Sequence, residues 1–229
     1  METLFNGYTL EIAPGAFPLS TDSMALADFV KLPRQAKVLD LGSGCGTIGT
    51  LLCAKDSNCA VTGIEIDEAA HTAALQNALQ NQLQNRLNSI CADFTAITGL
   101  VAAGSFDICV SNPPYFTAGF LSKSTPLARH EQTCSLESLM ESAAYALKFG
   151  GDFYLVHKPE RLAEIFCAAS RHKLEPKRLF LMRHKEDGPV SLVLIQCRKG
   201  AKPGLLWEEA ALHSKDGSFT EYHRKLYHL

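Results

Sequence analysis

The run Ser111-Asn112-Pro113-Pro114-Tyr115-Phe116 carries the most specific chemistry in the chain. Consecutive prolines hold the backbone extended and remove two N–H donors. The Asn112 side-chain oxygen and the Pro113 carbonyl then remain as neighbouring acceptors, which suits a planar NH2 group. Tyr115, helped by Phe116, supplies a ring that can stack on a base or an amide. Asn112, Pro113, Pro114 and Tyr115 are therefore the candidate catalytic residues; a proline-rich loop without chemistry is the alternative.

A second motif, Asp40-Leu41-Gly42-Ser43-Gly44-Cys45-Gly46, lies between a strand-like and a helix-like run. Glycines there permit a tight turn and close approach of backbone to a ligand, and a helix N-terminus adds amide donors. The spacing is GxGxG, not the GxGxxG of a dinucleotide site, and Thr47 takes the sixth position of that fingerprint. The acidic residue ahead of the first glycine would repel a pyrophosphate. It would welcome a cationic amino-acid headgroup, such as the methionine end of S-adenosylmethionine. Further along, Glu65 ends the next strand, where a carboxylate can accept both hydroxyls of a ribose. Asp67 and Glu68 read as helix-start carboxylates. Asp93 can accept an adenine amino group while Phe94 shields the ring face; a strand-ending turn is the plain alternative.

These residues need a scaffold that presents them together. Strand-like runs at 36–41, 60–66, 89–93 and 106–111 alternate with helix-like runs near 46–55 and 68–84. Residues 136–148 and 159–172 read as helices, with a strand at 152–157 after a Gly150-Gly151 break. Strands at 178–183 and 190–198, with no helix between them, should form an antiparallel hairpin. The expectation is an α/β fold: a mostly parallel seven-stranded sheet with helices on both faces. Residues 1–35 read as a hairpin and helix flanking the cofactor site, 36–200 as the main domain, and 201–229 as a tail packed on it.

Charge is uneven. Residues 1–115 hold five Lys/Arg against eleven Asp/Glu, whereas 157–202 hold eleven against five. A basic second half hints at a polyanionic partner, with Lys158, Lys177 and Arg178 as candidate phosphate contacts; scattered surface cations are the plain alternative. The net charge of −2 excludes a histone-like protein. No apolar run approaches the roughly 18 residues of a membrane span. The N-terminus has no signal-peptide pattern, so the expected location is the cytoplasm. Eight cysteines form no CxxC pair and read as reduced, packed thiols rather than a metal site.

With its Asn112-Pro113-Pro114-Tyr115 motif the sequence resembles class I methyltransferases that use S-adenosylmethionine to methylate an amino nitrogen conjugated with a ring or carbonyl. Leu19-Ser20-Thr21-Asp22-Ser23 followed by Ala25-Leu26-Ala27, and Ala128-Arg129-His130-Glu131 after the proline motif, narrow the likeness. Together they resemble the bacterial family that methylates N6 of adenine 37 in a valine tRNA. The resemblance runs from about residue 14 to the tail. It implies a Rossmann-like class I fold and an RNA substrate, most readily a tRNA. It implies cofactor contacts at Thr21, Asp40, Gly42, Gly44, Gly46, Glu65, Ile66, Asp93, Phe94 and Asn112. Tyr115 and Phe116 would then hold the substrate base, with Arg129 on a phosphate or on the active-site loop, a local ion pair that orders 116–136 being the alternative; Lys158, Lys177 and Arg178 of the basic run complete the candidate substrate contacts. An rRNA base methyltransferase and a protein glutamine methyltransferase share the motif, and a non-catalytic nucleic-acid-binding module would keep the fold. The short stretch ahead of Asp40 argues against the glutamine enzymes.

Overall fold

The computed structural model describes residues 2–4, 7–114 and 135–228. A short antiparallel hairpin, β1 (Glu2–Thr3) and β2 (Thr9–Leu10), opens the chain. Helix α1 (Thr21–Phe29) starts at a capping box in which Ser20 and Ser23 satisfy each other's backbone N–H. Alternation follows: β3 (Lys37–Leu41), α2 (Thr47–Lys55), β4 (Ala60–Glu65), α3 (Glu68–Gln80), β5 (Leu87–Cys91) and β6 (Phe106–Ser111). Beyond residue 134 come α4 (Leu136–Ala146), β7 (Leu147–His157), α5 (Leu162–Arg171), β8 (Leu174–Lys185), β9 (Val190–Lys199), β10 (Leu206–His213) and α6 (Glu221–Tyr227).

One sheet runs in the order β10-β8-β9-β7-β6-β3-β4-β5. Strands β3 to β7 are parallel, and β9 lies antiparallel between β7 and β8. The expected Rossmann-like architecture and closing hairpin are present. The strand count is corrected from seven to eight, because residues 206–213 add β10 parallel to β8. The tail is thus part of the sheet. The Gly150-Gly151 pair does not break β7; it accommodates a register shift against β6.

Each face of the sheet has its own core. Leu26, Phe29, Leu52, Val38 and Val61 pack α1 and α2 on one side. Leu139, Met140, Ile165, Leu39 and Phe153 pack α4 and α5 on the other. The near-continuous apolar character of β3, Lys37-Val38-Leu39-Asp40-Leu41, follows from this double burial. Asp40 is the one buried polar residue in that run.

Candidate active site

Strand order reverses at β3: β4 and β5 lie on one side, β6 and β7 on the other. Such a switch point opens a crevice at the carboxyl ends of the strands. Asp40, the glycine loop, Glu65 and Asn112 all lie at that end, because they close or follow parallel strands.

Gly42, Gly44 and Gly46 all take positive φ, which L side chains adopt at a cost. The turn is pinned where the Gly42 and Ser43 N–H groups donate to the Ile64 carbonyl. Glu65 holds it from the neighbouring strand: its carboxylate accepts the Gly44 N–H at 2.7 Å and the Asp67 N–H at 2.8 Å. Beneath the loop, Gly63 supplies room; a Cβ there would lie 2.4 Å from the Ser43 hydroxyl. Sequence reasoning passed over Gly63, although a glycine inside a strand marks close approach of another backbone. It also passed over Asn77. This buried side chain accepts the Glu11 N–H and donates to the Glu11 and Cys45 carbonyls, stitching the N-terminal segment to the glycine loop.

Asp40 is 1% exposed, and among the described residues neither carboxylate oxygen has a hydrogen-bond partner. Burial, and secondarily the Glu65 charge, push its carboxyl up to about 8. The Ser43 hydroxyl beside the loop is also buried and unpartnered. Buried polar groups are normally satisfied, so these orphans mark a place for a ligand donor. An ammonium group would satisfy the Asp40 carboxylate.

The other predicted positions divide clearly. Asn112, Pro113 and Pro114 are half-buried just past the end of β6, where the Ser111 hydroxyl donates to the Leu41 carbonyl at 2.7 Å and ties β6 to β3. Ile66 follows Glu65 and is exposed. Asp93 caps a short 3-10 helix by accepting the Thr95 N–H, and Phe94 packs partly into the second core. The Thr21 hydroxyl bonds the Tyr227 hydroxyl at 2.5 Å. Lys158 stands at the carboxyl end of β7. Tyr115, Phe116 and Arg129 lie outside the described residues, as do His130 and Glu131.

Lys177 and Arg178 have structural partners. The Lys177 ammonium donates to the Lys202 carbonyl. The Arg178 guanidinium donates to the Phe29 carbonyl at the end of α1, lies 4.3 Å over the Phe29 ring and faces Glu208 at 3.9 Å. Its side chain is only 16% exposed. It lines an open groove of about 680 Å³ that includes Leu32 and Asp56, ahead of β3 and β4 and away from the strands' carboxyl ends. Arg178→Ala should therefore lower stability by about 1–2 kcal/mol, read from urea denaturation. An unaltered midpoint would show that these contacts contribute nothing.

The methyltransferase small domain model matches residues 15–167, more than half the chain. The chain belongs to the methyltransferase small domain family. This methyltransferase is 25% identical over 206 residues to a tRNA1(Val) (adenine(37)-N6)-methyltransferase of Photobacterium profundum, covering 88% of this chain and 86% of that one. It is 27% identical over 228 residues to a protein of the same name in Bacteroides fragilis, covering 97% of this chain and 96% of the relative. A crystal structure of a predicted O-methyltransferase from Agrobacterium tumefaciens superposes with a TM-score of 0.75 at 22% identity, over 90% of this chain and 95% of that one. That likeness concerns the fold; the two tRNA enzymes share sequence over nearly the whole methyltransferase.

Proposed function

We propose that this methyltransferase transfers a methyl group from S-adenosylmethionine to N6 of an adenine in RNA, with adenine 37 of a valine tRNA as the first candidate. The observation that carries the reading is a juxtaposition. Asn112-Pro113-Pro114 ends β6, directly beside β3, whose own end holds the unpartnered Asp40 carboxylate and the glycine loop. The names of relatives aligned over most of the chain support the same substrate.

Asp40 would hold the cofactor's ammonium, Glu65 its ribose hydroxyls, and Asp93 with Phe94 its adenine. Bound there, S-adenosylmethionine supplies a methyl group already activated by the positive sulfur. The remaining obstacle is the target amine, whose lone pair is delocalised into the base. The Asn112 oxygen and the Pro113 carbonyl would accept hydrogen bonds from its two N–H groups, favour a more tetrahedral nitrogen and direct the lone pair outward; after transfer the nitrogen sheds one proton to water. Pro113 and Pro114 carry no N–H to compete as donors. This is positioning with electrostatic stabilisation. A stacked loop base must first swing out of its strand. Tyr115 would hold it by stacking, with Phe116 beside it. Lys158 and Arg129 would meet the backbone phosphates, making binding salt-dependent.

No helix among the described residues is long and apolar enough to cross a membrane. The seven described cysteines are all free thiols, which supports a cytoplasmic location. Burial pushes the Cys109 and Cys197 thiols up and keeps them inert.

A radiolabelled methyl-transfer assay offering unmodified tRNA, rRNA and protein tests the reading. Label should enter tRNA, and digestion should yield N6-methyladenosine. Label in protein alone would replace the substrate.

A further inference from the structure

The carboxyl ends of β8 and β10 lie at the same end of the sheet as Asn112, because β10 is parallel to β8 and β9 runs antiparallel to both β8 and β7. At that end five rings form a continuous ladder. His184 and His213 have centroids 4.8 Å apart, and His213 contacts Phe219 at 5.4 Å and His223 at 5.3 Å. His223 is sandwiched between Phe219 (4.0 Å, 20° between planes) and Tyr227 (4.5 Å, 26°). The Tyr227 hydroxyl then meets Thr21 at the start of α1. The ladder therefore runs from the sheet edge to the helix that packs beside α2 and its glycine loop.

The ladder opens outward at one end. Phe219 is 46% exposed, and His184 is exposed as well, so the ladder ends in open ring surface. Among the described residues the buried His223 Nδ1 has no hydrogen-bond partner. Lys185, which pairs with His213 across β8 and β10, Lys215 on the turn ahead of Phe219, and Arg224 next to His223 are all exposed. Among the described residues no ion pair or side-chain hydrogen bond holds these three. Most cations of the basic half do have such partners: Arg161 with Glu164, Arg171 with Glu137, Arg183 with Glu209, Arg198 with Asp152, and Arg178 on α1. Asp216, beside Lys215, is turned onto the Ser218 N–H and hydroxyl. Glu186 and Asp187 sit in the β8–β9 turn and would keep phosphates away from that corner.

We propose that this ladder is a docking platform for the RNA substrate, on which an unpaired nucleobase stacks against Phe219 while Lys185, Lys215 and Arg224 meet the flanking phosphates. Exposed rings interleaved with uncommitted cations are the combination that binds single-stranded nucleic acid: stacking on the base, charge on the backbone. The platform rests on the RNA methylation reading and moves the backbone contacts from Lys177 and Arg178 to the carboxyl end of the sheet.

The test measures binding of a fluorescently labelled anticodon stem-loop of valine tRNA by anisotropy, alongside calorimetry with S-adenosylmethionine. Phe219→Ala should weaken RNA binding about tenfold, and Phe219→Trp should retain it. Lys215→Glu, on an exposed turn, should also weaken it and flatten its salt dependence. Cofactor affinity should stay at the wild-type value in all three. Wild-type RNA affinity in both Phe219→Ala and Lys215→Glu would overturn the platform while leaving RNA methylation standing. A wild-type protein that binds no RNA would overturn both.

Discussion

Asn112→Ala should reduce methyl transfer by about a hundred- to a thousandfold, with S-adenosylmethionine binding kept within a few-fold of wild type. The scale is that of removing one preorganised hydrogen-bonding group from a transition state. The effect should fall on kcat, because the carboxamide oxygen is asked to favour the pyramidal nitrogen over the planar one. Asn112→Asp keeps an acceptor at similar reach and should recover part of the loss. Single-turnover methylation at saturating tRNA, with calorimetry for the cofactor, makes the comparison. A tight-binding Asn112→Ala enzyme that still turned over at the wild-type rate would end the proposed role.

Asp40→Asn should weaken cofactor binding by about a hundredfold, within the range for removing one partner of a buried charge pair. Its protonation makes a second, sharper prediction. Without ligand the Asp40 carboxyl is raised to about 8 by burial and by Glu65, so it is mostly neutral at pH 7. Pairing with an ammonium restores the carboxylate and expels a proton. Calorimetry at pH 7 in buffers of different ionisation enthalpy should show close to one proton released per cofactor, and cofactor affinity should rise with pH up to about 8. The stability of the ligand-free protein should move oppositely. Its folded pKa lies above the unfolded value of 3.8, so the contribution is intact below that value and is lost as pH rises through about 8. Asp40→Asn should thus melt higher than wild type at pH 9 and bind less cofactor at every pH. A wild-type affinity in Asp40→Asn, or binding without proton release, would remove Asp40 from the headgroup site.

Much of this was legible in the sequence because local pattern and global fold agree. Val38-Leu39 and Cys109-Val110 read as buried strands and are. The glycine loop reads as a ligand turn and takes the backbone that only glycine accepts easily. Elsewhere tertiary context overrides local preference. Residues 206–213 are rich in Leu, Glu and Ala, which favour helix, yet they are held as β10 by pairing with β8. The Gly150-Gly151 pair reads as a break because the needed register shift appears only against β6. Arg178 reads as a surface cation because nothing local shows that Phe29, far away in sequence, lies under it. The four tail-end rings and His184 look like single scattered residues until β8, β10 and α6 bring them into one stack.

The pairing of β10 with β8 also bears on how the sheet ends. A parallel strand laid along β8 hides a whole row of amides and carbonyls that would otherwise be open to any passing extended peptide. The new outer strand carries Glu208 and Glu209, set against Arg178 and Arg183, and leaves Leu206 and Trp207 exposed beside them. Residues 206–213 therefore act as a hem: they finish the fabric of the sheet along β8.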